Sequence, residues 1–168
     1  EKIKVNSEQR LAMINTLAIA SGSRGMAGGQ AIDLAAVGKS LNITELENMH
    51  IHKTGALIRA SAELGALSVE NVDSELFSRV SQYAKCIGLA FQIKDDILDI
   101  ESDTETLGKP QGSDMEQNKP TYPELLGLEG AKQAADDLYN KAIHCLDAFD
   151  ERADTLRLVA DYIINRNK

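Results

Sequence analysis

The 168 residues, 43% of them hydrophobic, are enough for one compact domain with a real core, so an unfolded chain is excluded. A formal charge of -8, with no run among the 18 basic residues, argues against a nucleic-acid binder, which needs clustered Lys and Arg to neutralise phosphate. No segment approaches the roughly 20 unbroken apolar residues of a membrane span and no basic leader precedes an apolar stretch, so a soluble cytoplasmic protein is expected.

The chain opens on EKIKVNSEQR without an initiator methionine, as expected for a processed or truncated product. Asn6 or Ser7 can cap a first helix whose apolar positions Leu11, Ile14, Leu17 and Ala18 recur at helical spacing. The glycine-rich stretch Ser21 to Gln30 then reads as a break between helices or as a place where two backbones approach closely. It lacks the GxGxxG order of a nucleotide loop. Thr44 and Glu47 form a capping box at the head of a long pattern through Leu46, Met49, Ile51, Leu57, Ile58 and Leu64. Gly55 interrupts it, at a cost of about 1 kcal/mol relative to alanine, and predicts a kink or a close contact around Lys53-Thr54-Gly55.

A third helix starts near Asp73 or Ser74 and carries Leu76, Val80, Tyr83, Ile87 and Phe91 toward the segment FQIKDDILDI. Helical periodicity fails from Glu101 to Pro123, which reads as a long polar loop of the kind that carries function. Two more helices follow, around Ala131 to Phe149 and Thr155 to Ile164. With no strand-like alternation and no repeat, the prediction is an all-α fold built as one unit over 1–168. Cys86 and Cys145 fall within helical apolar patterns and read as small core residues, with a disulfide as the minor alternative.

Charge inside FQIKDDILDI demands a partner. On a helix Gln92, Asp95, Asp96 and Asp99 project from one side, and like charges one turn apart repel until a cation bridges them. Hard oxygen donors without nearby His or Cys favour Mg²⁺, which takes one or two carboxylates and fills its octahedron with water and substrate phosphates. A polyphosphate ligand is therefore expected, with Lys53, Lys109 and Lys119 available to hold it. The plain alternative is a solvated acidic helix face, but Phe91, Ile93, Ile97, Leu98 and Ile100 mark core on both sides. An EF-hand starting at Asp99 fails, because its sixth position is not Gly and its twelfth is Pro110. His50 and His52 do not share a helical face and His144 is isolated, so no histidine metal site is expected. Gln30 and Asp33 sit at helical spacing just after the glycines, with a cap or turn as their plain reading.

FQIKDDILD resembles the second aspartate-rich motif of the trans-isoprenyl diphosphate synthases. GGQAID, HKTGALI and LGKPQGSDMEQNKPTYP resemble neighbouring motifs of that family in the same order, and the similarity runs through to ADYIINRNK, nearest to the bacterial short-chain branch. The resemblance implies an all-α isoprenoid-synthase bundle around a central cavity. It also implies Mg²⁺-assisted condensation of an allylic diphosphate with isopentenyl diphosphate, most simply to a farnesyl product. On it, Asp95 is the metal ligand supported by Asp96 and Asp99, and Lys53, Lys109 and Lys119 are diphosphate contacts. Thr54 and Gln92 turn their oxygens to the allylic cation, and Gln30 and Asp33 line or brace the cavity.

One departure matters. The family's first aspartate-rich motif is missing, so the chain resembles the C-terminal part of such an enzyme, incomplete on its N-terminal side and expected to be inactive alone. Its uncovered apolar faces predict a homodimer or association with the missing part. The alternatives are a synthase of longer chains, a noncatalytic helical subunit, and an acidic interaction domain without a ligand.

Overall fold

The computed structural model describes residues 5–101 and 121–167. Among the described residues every regular element is helical, as expected. The first, α1 (Ser7–Ser21), is capped by Asn6, whose Oδ1 accepts from the Gln9 amide at 2.8 Å while Gln9 Oε1 accepts from the Asn6 amide at 3.1 Å. The glycine-rich stretch does both things expected of it. It breaks the chain after Ser21, and within α2 (Met26–Ala36) it brings Gly29 against the following segment. A Cβ on Gly29 would lie 2.1 Å from the Lys53 backbone nitrogen, so only glycine allows this approach.

The next helix, α3 (Ile43–His50), corrects the expected capping box. Asn42, not Thr44, is the cap, with its side chain on the Glu45 amide at 3.0 Å and Glu45 reaching back to the Asn42 amide at 2.9 Å. Both pairs have the right spacing, and asparagine is the stronger cap. The predicted kink is a widened π-helical turn, Ile51–Gly55, which joins α3 to α4 (Ala56–Leu67) and carries Lys53 and Thr54. Single π turns inside helices are frequently functional.

The long α5 (Ser74–Glu101) begins where Asp73 Oδ1 accepts from the amides of Glu75 and Leu76. The next described helix, α6 (Tyr122–Cys145), starts well before the expected Ala131 and stops before Phe149. Pro123 sits in its first turn, where a missing N–H costs nothing, and Gly127 at φ 73° breaks the helix just beyond, which explains the lost periodicity. A short 3₁₀ turn, Glu151–Ala153, leads into α7 (Asp154–Asn165). Residues 102–120 of the expected loop lie outside the described residues.

The spine is α5. Its N-terminal and central turns bury Tyr83, Ala84, Cys86, Ile87 and Ala90 against Ala142 and Leu146 at the end of α6 and Ala160 of α7. Its C-terminal half buries Ile93 and Ile97 with Leu46 and Met49 of α3 and Tyr122, Ala131 and Ala135 of α6. Tyr83 donates from its hydroxyl to the Leu156 carbonyl at 2.6 Å, and burial pushes its phenol up to about 12. Cys86 is buried, Cys145 is half-buried and both are free thiols, as the core reading expected.

Two substitutions test this account by urea denaturation. Asn42→Ala should cost about 1 kcal/mol while Thr44→Ala, at an exposed position, costs a few tenths; equal losses would restore the expected box. Gly29→Ala should cost about 3 kcal/mol, because the clash is with backbone rather than with a flexible side chain.

Candidate active site

The segment FQIKDDILDI occupies the last three turns of α5, directly beside the π turn. There Gln92 is the junction. Its Oε1 accepts the Thr54 hydroxyl at 2.9 Å and lies 3.0 Å from His50 Nδ1, while its Nε2 donates to Asp95 Oδ2 at 3.1 Å. Because Thr54 spends its proton on Gln92, it has only lone pairs to offer any other group. Next to Thr54, Lys53 donates to Asp33 Oδ2 at 2.7 Å in an ion pair whose side chains are 32% and 14% exposed. The Gly29 approach is what brings α2 close enough for this pair. Gln30, on the same helix, is exposed.

The three aspartates do not share one environment. Asp95 is half-exposed and Asp99 half-buried, whereas Asp96 is buried and its Oδ2 accepts the Tyr122 amide at 2.9 Å, fastening the start of α6 to α5. Helical spacing alone put all three on one side, but α6 seats against the Asp96 edge of that side. Tyr122 also stacks on His50 with ring centroids 5.8 Å apart. Burial first, then the negative charges of Glu47 and Asp96, hold the Tyr122 phenol far above the usual tyrosine range. No group of three or more His, Cys, Asp or Glu side chains poised for a metal occurs among the described residues. Asp95 and Asp99, one turn apart, instead suit an ion that needs only one or two protein carboxylates beside water and phosphate, which is the habit of Mg²⁺.

Sequence reasoning missed two contributors. His50, set aside as an improbable ligand, is a buried partner of Gln92. Arg166, just after α7, pairs its Nη2 with Asp95 Oδ1, donates to the Phe91 carbonyl at 3.2 Å and lays its guanidinium 4.2 Å from the centroid of the Phe91 ring. The need for a cation beside Asp95 was the available signal, but nothing local ties two residues so far apart in the chain. Lys109 and Lys119 lie outside the described residues. A cavity of about 400 Å³ opens elsewhere, between α1, the π turn, α4 and α5. It is lined by Ile19, Arg24, His52, Arg59, Lys85 and Leu89 among others and by none of Lys53, Thr54, Gln92 or Asp95.

Comparison with known proteins places this geometry. The model of the polyprenyl synthetase family matches residues 3–160. Farnesyl diphosphate synthase of Escherichia coli (strain K12) is 51% identical over 168 residues, covering 98% of this chain and 56% of that protein. An FPP/GFPP synthase from Zymomonas mobilis superposes with a TM-score of 0.82 at 40% identity, covering 94% of this chain and 52% of the other. Geranyltransferase from Helicobacter pylori, complexed with magnesium and isoprenyl diphosphate, gives a TM-score of 0.76 at 32% identity, covering 96% and 52%. The chain thus spans about half the length of the relatives it matches.

The division of labour among the aspartates is testable without ligand. Asp96→Ala strips the acceptor from a buried backbone N–H and should cost about 1–3 kcal/mol in a urea melt, whereas Asp96→Asn keeps an acceptor oxygen and should recover most of the loss. Equal losses from the two would point to the charge rather than the hydrogen bond.

Proposed function

Since the chain belongs to the polyprenyl synthetase family, we propose that it is part of a soluble cytoplasmic trans-prenyltransferase that joins an allylic diphosphate to isopentenyl diphosphate, with farnesyl diphosphate as the product. The observation that carries this reading is the chain of contacts Thr54–Gln92–Asp95 beside the Lys53 ammonium, which gathers lone pairs, a carboxylate and a cation on adjoining turns of two helices.

Each part has a role in that chemistry. Asp95, with Asp99 one turn on, would hold Mg²⁺, which would supply positive charge to the leaving diphosphate. Asp96 braces the motif by fixing α6. Lys53 exchanges Asp33 for a diphosphate oxygen, a move open to an ammonium on a flexible stem, and Lys109 and Lys119 add further contacts. Asp33 and Gln30 brace the same wall. The lone pairs of Thr54 face the allylic carbon as positive charge grows there, where preorganised dipoles act strongly in a site closed to water. The proton lost after condensation passes to the departed diphosphate or to solvent.

The chain supplies one part of that site. Leu11, Ile14 and Leu17 are 68%, 66% and 49% exposed along α1, and Leu34 of α2 and Val37 just after it are exposed too, an apolar surface that calls for a cover. Upstream helices of the whole protein, or a second copy, provide it. A noncatalytic helical subunit is the weaker reading, since a scaffold has no use for repelling carboxylates beside an ordered Thr–Gln pair.

The test is product formation from dimethylallyl and isopentenyl diphosphates with Mg²⁺. A polypeptide extended upstream to the length of the relatives should turn over, Asp95→Ala should lower its kcat by at least about 100-fold, and the 168-residue chain alone should be inactive. Turnover by the chain alone, or full activity in the Asp95→Ala variant, would refute the reading.

A further inference from the structure

Both oxygens of Asp95 are engaged, Oδ2 by the neutral Gln92 amide and Oδ1 by the Arg166 guanidinium. Arg166 is well sheltered, with its side chain 12% exposed against 43% for Asp95. Its seat is nevertheless imperfect, because Arg166 Nε is buried with no hydrogen-bond partner. An unsatisfied buried donor weakens the hold of that seat. We propose that Arg166 is a built-in counter-ion that stands where the metal will stand: it holds Asp95 in place beside Asp99 while the site is empty and is expelled when the divalent ion binds.

The physics of the exchange is simple. A carboxylate with Asp96 beside it and Asp99 one turn on is stabilised by positive charge, and the guanidinium supplies it through Nη2 while lying over the Phe91 ring and binding the Phe91 carbonyl. A divalent ion at Asp95 Oδ1 offers more charge and repels the guanidinium. The Gln92 amide carries no net charge and stays, so the orientation of Asp95 survives the exchange. Arg166 is therefore a positioning residue, and it sets the metal affinity by competing with the ion. This rests on the metal-site reading proposed above, and the measurements below separate the two.

In the protein freed of metal with EDTA, a double-mutant cycle between Arg166→Gln and Asp95→Asn reads the coupling of the pair through thermal stability. Calorimetric titration of Mg²⁺ in the presence of inorganic pyrophosphate reads the competition. Arg166→Gln should lower Tm without metal and raise Mg²⁺ affinity by about three- to tenfold, the factor expected for releasing one partly exposed ion pair. Arg166→Lys, which keeps the charge, should stay near the wild-type affinity. The coupling should vanish at saturating Mg²⁺ and pyrophosphate. Unchanged or weaker Mg²⁺ affinity in a folded Arg166→Gln variant, or coupling that persists at saturation, overturns the proposal while leaving the metal site intact. If neither wild type nor Arg166→Gln binds Mg²⁺ with pyrophosphate, the metal-site reading itself fails and the proposal falls with it.

Discussion

Carboxylates inside a helical layer need positive charge, and the architecture around the last turns of α5 follows from how that need is met. Asp95 takes the Arg166 guanidinium and Asp33 takes the Lys53 ammonium. Asp96 is met differently, by a backbone N–H at the head of a helix, where the partial positive charge of the first turn suits a carboxylate. Asp95, Asp33 and Asp96 are thus each met by a different kind of donor: a guanidinium, an ammonium and a backbone N–H.

Those donors arrive because the backbone lets them. Gly29 admits the Lys53 backbone against α2, and the π turn rotates Lys53 and Thr54 so that one reaches Asp33 and the other Gln92. Gln92 then links Thr54 and His50 to Asp95 through its two amide atoms. The side of α5 that carries the charge is rigid because its other sides are core, with Ile93 and Ile97 closed in by α3 and α6. Packing therefore fixes the polar chain, and the polar chain fixes the Asp95 carboxylate.

The same packing divides the chain into finished and unfinished surfaces. Around α5 the helices bury one another, whereas α1 leaves Leu11, Ile14 and Leu17 in solvent. The cavity of about 400 Å³ beside α1 touches the π turn at Ile51, His52 and Gly55 but is lined by none of Thr54, Gln92 or Asp95, so it is a separate feature from the aspartate motif. A chain spanning about half the length of its relatives is expected to show both kinds of surface.

Helical periodicity, the glycine-rich break, the interruption at Gly55 and the spacing of Gln92, Asp95 and Asp99 are local properties, and the sequence by itself determined them. It also determined the family, because several short motifs in a fixed order are a property of the chain. It misjudged matters where two local solutions were equally available, as with the caps Asn42 and Thr44, or where one glycine at φ 73° hid the first turns of α6. Only the tertiary structure decided that Asp96 turns to α6, that His50 joins Gln92 and that Arg166 reaches Asp95 from 71 residues away. Contacts between distant segments depend on how helices cross, and a crossing is set by the packing of whole faces, which no short stretch of residues contains.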